Sequence, residues 1–311
     1  MKWSYSKSKT FRRCQRQWFY ANCVASGTAK DSLRRTVYLL GKLQTIAGWR
    51  GSIVDRVIET DVIPLLQRRR YPDPEALVAR AQRLYDMQLA TALEHPLKQP
   101  DRSVKSFGEA YAAFHCVEYG EPPSQTELDA AWSEIEAALR NLCSMGGLLK
   151  RLCGAGRLIA QRPLSFERFD GVNVVAVPDL IAFYPDEPPA IIDWKAHAVG
   201  TMDASTQLGI YSIALAGTEP HKDFPSSVKW PAGEIRLVEV QLLLNRTRRH
   251  ELDDADRASI EAYIAESSNS MLMAMGGRTG TDLDAADFPT ASYDRVCERC
   301  SFRKACWETL Q

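Results

Sequence analysis

The chain has 311 residues, 45% of them hydrophobic and 25% charged, the composition of an ordinary globular protein long enough for one large domain or two smaller ones. Lys plus Arg and Asp plus Glu both number 39, so no overall positive field advertises a polyanionic partner, and none is excluded. No apolar run approaches the roughly 20 residues that cross a bilayer, and Met1-Lys2-Trp3-Ser4-Tyr5-Ser6 lacks a signal-peptide core, so the expectation is a cytoplasmic protein without a membrane partner.

In chain order, Ser4 to Tyr20 predicts a short amphipathic helix that sets Cys14 among basic and aromatic side chains and packs its Phe and Trp inward. Leu39 to Leu66 reads as a second helical stretch containing Gly48 and Gly51. Asp55 and Glu59 share one face of it, and an acidic pair at that spacing is ordinarily solvated. Residues 71 to 155 look largely helical, with Pro72-Asp73-Pro74 opening Glu75 to Leu93 and Ser124 or Thr126 capping the run toward Leu142. Nothing there asks for chemistry. Residues 67–156 therefore form a helical insertion between core segments 1–66 and 157–311, suited to shaping a groove or meeting a partner.

Alternation in Val172, Val174 and Ala176, and again in Ile191, Ile192 and Trp194, predicts two strands joined through the Pro185-Asp186-Glu187-Pro188-Pro189 turn. With the turn centred near Glu187, Asp179 lies opposite Lys195 and Asp193 opposite Ile181, which puts Asp179, Asp193 and Lys195 on one face. Two carboxylates and an ammonium so placed suit a hard divalent cation, with the lysine left to orient a water or steady a phosphate. A solvent-facing strand with a surface ion pair is the plainer account. Next come a loop over Gly200 to Ser205 and a helix from Gln207 to Leu215, on which Gln207 and Tyr211 share a face. Glu234 to Leu244 predicts a further strand with Val238, Val240, Leu242 and Leu244 on one side, and the basic run Arg246-Thr247-Arg248-Arg249 ends the sheet. Asp253 to Met275 is a long helix stopped by Gly276-Gly277.

The chain carries eight cysteines. Cys297, Cys300 and Cys306 form C-x2-C-x5-C near one end, and Cys14 stands alone near the other. In a reducing compartment clustered thiols point to metal or redox chemistry, and spacing leaves zinc and an iron-sulfur cluster both open. Cys23, Cys116, Cys143 and Cys153 have no ligand spacing and read as buried small hydrophobes.

The ordered set Cys14, Gly51-x3-Asp55, Pro178-Asp179, Asp193-Trp194-Lys195, Gln207-x3-Tyr211 and Cys297-x2-Cys300-x5-Cys306 resembles the PD-(D/E)XK nuclease superfamily. More narrowly it is similar to the iron-sulfur branch, which includes cluster-bearing CRISPR-associated exonucleases and the nuclease domain of AddB-type helicase-nucleases. The resemblance covers most of the chain outside the helical insertion. It implies an α/β (mixed α+β), restriction-endonuclease-like core sheet flanked by helices. Asp179 and Asp193 would be metal ligands for Mg2+ or Mn2+, Lys195 the catalytic lysine, and Gln207 and Tyr211 contacts to the substrate strand or supports of the site. Cys14, Cys297, Cys300 and Cys306 would hold a structural [4Fe-4S] cluster joining the chain ends.

One position departs from the family: Asp55 stands where histidine is common as a metal ligand. A carboxylate still suits Mg2+ or Mn2+, though the change also fits weakened activity. The resemblance implies a metal-dependent deoxyribonuclease of the exonuclease kind, acting on single strands or duplex ends in repair, recombination or antiviral defence. Trp18, Tyr20 and the Arg248-Arg249 pair are candidates for contacting a single strand. No G-x4-G-K-[ST] motif occurs, so unwinding would fall to a partner such as a helicase. Two other readings remain: a nucleic-acid-binding or partner-docking module that has lost cleavage, and a zinc-stapled protein with an incidental acidic hairpin.

Overall fold

A computed structural model of the chain describes residues 1–99, 102–120, 122–169, 171–196, 203–225, 229–292 and 294–308. Strand β1 (Lys2–Trp3) precedes helices α1 (Tyr5–Arg13), α2 (Gln15–Phe19), α3 (Ser32–Leu40), α4 (Ile46–Val57) and α5 (Ile63–Gln67). Helices α6 (Pro74–Leu93), α7 (His115–Glu118), α8 (Gln125–Ser144) and α9 (Gly146–Cys153) follow. Strands β2 (Arg157–Ala160), β3 (Leu164–Phe169), β4 (Val172–Ala176), β5 (Leu180–Phe183) and β6 (Ala190–Lys195) lead to α10 (Asp203–Gly217). Then come β7 (Arg236–Gln241), β8 (Arg246–His250), α11 (Asp254–Met275), α12 (Asp294–Glu298) and α13 (Arg303–Glu308). The mixed α/β content fits the expected fold class.

The chain divides into two compact units. One comprises Met1–Lys2, Ala47–Tyr85 and Gln125–Ile264, and the other Trp3–Ile46, Asp86–Ser124 and Ala265–Gln311. Helices of the 67–156 stretch fall in both.

The first unit is built on a five-stranded sheet of order β2-β5-β6-β7-β8, beside a smaller β1-β4-β3 sheet. Only β6 and β7 run parallel among the neighbours of the larger sheet. Strand β6 lies in the middle and is buried from Ala190 through Trp194, as a strand covered on both faces must be. On the edge strand β2, Gln67 of α5 accepts from Leu158 N–H at 2.6 Å and so covers one backbone donor. Helix α10 runs so close to α11 that a Cβ on Gly209 would overlap Ile260 Cδ1.

Several expectations are corrected here. The hairpin partner of β6 is β5, whereas Val172–Ala176 pairs with β3 in the smaller sheet. The alternating run breaks at Val177-Pro178, where proline removes a ladder donor and lets the chain change sheets. The β5–β6 register joins Leu180 to Ile192 and Ile181 to Ile191, so continuing it one step sets Asp179 opposite Asp193 rather than Lys195. The Leu39–Leu66 stretch is interrupted between α3 and α4, and passes through a wide helical turn at Ile58–Val62. Leu242–Leu244 leave the strand as a short helical turn, and the basic run forms β8 instead of ending the sheet. Of the predicted Gly200–Ser205 loop, residues 200–202 lie outside the described residues and the rest opens α10.

In the second unit the expected Ser4–Tyr20 helix is two helices. Cys14 sits between them with extended backbone (φ −162°, ψ 111°), closing α1 through its N–H to Thr10 O and capping α2 by accepting from Gln17 N–H. Around it Phe11, Trp18, Phe19 and Phe288 pack ring against ring, with Phe19 and Phe288 stacked at 4.7 Å. Trp18 is 3% and Tyr20 1% exposed, so both are core and not a stacking platform for a strand. The Gly276-Gly277 stop holds, both residues having positive φ (57° and 72°).

Candidate active site

The sequence places an acid just before β5, an acid and a base on β6, an acid on α4, and an amide and a phenol on α10. The fold of the first unit brings these together. Asp193 is 1% exposed, and its carboxylate pairs with Lys195 Nζ at 2.5 Å. Two residues apart on a strand, they share a face. Asp179 is held by Trp194 N–H, which donates to Oδ2 at 2.9 Å, and by Gln161 Nε2, which donates to Oδ1 at 3.2 Å. Lys195 Nζ also donates to Gln207 Oε1 at 3.2 Å, and Gln207 Nε2 donates to Tyr211 Oη at 2.6 Å. The i, i+4 spacing on α10 thus makes a short relay from the sheet to a buried phenol.

Electrostatics show that the carboxylates are crowded. Burial first, then repulsion from Asp179, Asp193 and Glu59, pushes the Asp55 carboxyl up to about 7, with Lys195 pulling against it. Burial and the Asp193 charge also raise Asp179, against the Trp194 N–H, Lys195 and Gln161. Burial raises the Tyr211 phenol, and the two acids add to the effect. Glu59 instead pairs with Arg56 at 3.3 Å. One lysine among three acids leaves excess negative charge in a poorly solvated place.

Among the described residues, no group of three or more His, Cys, Asp and Glu side chains is assembled as an ion-binding cage. Asp179 and Asp193 are engaged by protein donors and by Lys195 instead. The donor set nonetheless fits a hard dication: oxygen ligands only, on carboxyls raised first by burial and then by one another's charge.

Sequence reasoning missed three residues on this face. Gln161 follows β2 with φ +47° and clasps Asp179, and no pattern in the sequence marked it. Glu239 and Gln241 lie on β7, in register with Asp193 and Lys195 and almost wholly buried at 0% and 1% exposure. A lone acid in an apolar strand was the signal that singled out Asp193, and Glu239 carries the same one.

In the second unit Cys14, Cys297, Cys300 and Cys306 line one cavity together with Arg16, Tyr20 and Phe302. Burial pushes the Cys300 thiol up to about 11, with the three other cysteines adding to the rise against the Phe302 N–H. Arg16 is buried, donates to Phe288 O at 2.7 Å and draws the Cys306 thiol down against its burial. The four thiols line the cavity without being grouped as a metal-binding set among the described residues, although thiolates as a donor type suit a soft metal. Cys23, Cys116, Cys143 and Cys153 are half-buried, not the fully buried small hydrophobes expected.

Carboxylates beside a lysine, at the end of the central strands of a mixed sheet, are an arrangement that metal-assisted phosphodiester hydrolysis could use. A match over residues 2–307 then shows that the chain belongs to the PD-(D/E)XK nuclease superfamily. No curated protein matches. Among solved structures, one titled "Crystal structure of SSO0001" is similar at 16% identity over 63% of this chain and 80% of that one, with a TM-score of 0.28, too loose a likeness to carry an argument. No helix among the described residues is long and apolar enough to cross a membrane.

Proposed function

We propose that this protein is a deoxyribonuclease that hydrolyses phosphodiester bonds with Mg2+ or Mn2+, acting from strand ends, and that it carries a structural [4Fe-4S] cluster. The observation that carries the reading is that Lys195 pairs with Asp193 and bonds Gln207 while Asp55 feels the charges of both Asp179 and Asp193. Asp55, Asp179 and Asp193 would hold the dication. When bound, it supplies Lewis acidity toward the scissile phosphate and the attacking water. Lys195 Nζ, set between Asp193 and Gln207, orients that water and meets the charge that develops on phosphorus. Tyr211 fixes Gln207, and Gln161 and the Trp194 N–H fix Asp179, so the groups need little reorganisation.

Asp55 stands where histidine is common and takes that ligand's place in this reading. Its carboxyl senses both Asp179 and Asp193, as a third ligand to the same ion would. Cys14, Cys297, Cys300 and Cys306 would hold the cluster within the second unit. The test is cleavage of end-labelled single-stranded and duplex DNA with Mg2+, Mn2+ or EDTA, beside iron and zinc analysis of anaerobically purified protein. Divalent-metal-dependent cutting that is lost in Lys195→Ala, from a brown, iron-containing protein, is expected. A folded protein that binds but never cuts refutes the nuclease reading. Stoichiometric zinc without iron refutes the cluster.

A further inference from the structure

The catalytic face does not stop at the acids. Strand β6 is in register with β7, and β7 with β8, in two rows: Asp193–Glu239–Arg248 and Lys195–Gln241–Arg246. Residues paired across strands share a face, so Arg246 and Arg248 stand on the side of Lys195 and Asp193, two strand spacings or about 10 Å away. Arg249, the next residue along β8, points the other way, into a cavity lined by Ile192, Val238 and Tyr184 on the opposite face.

Both arginines are exposed, yet each is tied to a buried anchor. Arg246 Nε donates to Gln241 Oε1, and Gln241 Nε2 donates to Glu239 Oε1 at 2.8 Å. Glu239 Oε2 is bonded to His250 Nε2 at 2.9 Å and stands 3.9 Å from Arg248. Arg246 thus meets a neutral amide rather than a carboxylate. Arg248 shares its carboxylate with His250 and is only loosely paired, so its fork remains available to an anion. Fully buried polar side chains beneath an exposed edge strand are costly unless bonded, and here Glu239 and Gln241 bond each other, His250 and Arg246.

We propose that Arg246 and Arg248 form a phosphate track for a single DNA strand, gripping the backbone next to the phosphate that reaches the acids. The inference rests on the nuclease reading and adds the path of the substrate. Guanidinium forks match phosphate oxygens, and the edge position leaves the strand open to solvent on its far side.

The test is binding of a short labelled oligo(dT) in EDTA across a salt series, with cleavage measured separately under Mn2+. Wild-type protein should bind with a salt-dependent affinity. Arg246→Ala/Arg248→Ala should bind much more weakly, by about tenfold per arginine. Its log–log salt slope should shrink by about 1.4, roughly 0.7 for each phosphate of a single strand that is no longer neutralised. Arg249→Ala should match wild type in both. In cleavage the double variant should raise KM and spare kcat. Equal slopes for wild type and the double variant, equal losses in Arg249→Ala, or no binding by wild type would each overturn the track. If wild type binds through Arg246 and Arg248 but does not cut, the track stands and the nuclease reading falls. Should the double variant fail to fold, Arg246→Gln and Arg248→Gln are each expected to lower the slope by about 0.7, and unchanged slopes refute the proposal.

Discussion

Replacing Asp55 by Asn should stabilise the metal-free protein while abolishing cleavage. The Asp55 carboxyl is pushed from 3.8 up to about 7 by burial and by neighbouring acids. Below about pH 4 the folded and unfolded chains both hold the proton, and the site costs nothing. Between about pH 4 and 7 the unfolded chain releases the proton first, so stability falls as pH rises. Above pH 7 the loss levels off. A rise of about 3 pH units at about 1.4 kcal/mol each makes that loss about 4 kcal/mol. Asn has the same shape and no charge. In EDTA at pH 8, Asp55→Asn should therefore gain up to about 4 kcal/mol over wild type, near 8 °C in Tm. At pH 4 the two should coincide. Denaturant unfolding at both pH values measures this directly. Mn2+ should then stabilise wild type more than the variant, because only wild type presents all three acids. A variant less stable than wild type at pH 8, or a gain that is the same at pH 4, would refute the role given to crowded charge.

Lys195→Met should abolish cleavage and also destabilise the fold by about 3 kcal/mol or more, since Asp193 is 1% exposed and loses the ammonium beside it. Pairing it with Asp193→Asn should recover most of that stability, read by urea unfolding, without recovering activity. Tyr211→Phe removes the 2.6 Å bond to Gln207 and should cost about 1 kcal/mol, with a fall in kcat larger than any change in KM because the relay to Lys195 loosens. Gln161→Ala frees one side of Asp179 and should weaken Mn2+ binding measured by calorimetry by about 10-fold, as loss of an outer-shell partner does. Cys300→Ser should bleach the visible absorption of anaerobically purified protein and lower its Tm.

The residues alone made legible what local chemistry dictates. A lone acid and a lysine in an apolar strand must share a face, because side chains alternate with period two. The shared face does not depend on the turn centre: moving the pairing from Asp179–Lys195 to Asp179–Asp193 shifts a partner by two residues and leaves all three side chains on the same side. The Gln207–Tyr211 relay likewise follows from helical spacing. The order of the motifs, spread over the chain, carried the family.

Tertiary packing decided the rest. Whether Val172–Ala176 or Leu180–Phe183 lies beside β6 depends on a strand leaving one sheet for another at Pro178, which no periodicity records. Trp18 and Tyr20 look equally apt for stacking on bases or filling a core, and only their enclosure by Phe11, Phe288 and Phe302 settles it. Arg248 and Arg249 are adjacent and chemically identical, yet pairing with β7 sends one toward the acids and the other away. Alternation within a segment is a property of the backbone and can be read from residues alone. Which segments become neighbours depends on buried area summed over the whole chain, and that exists only once it has folded.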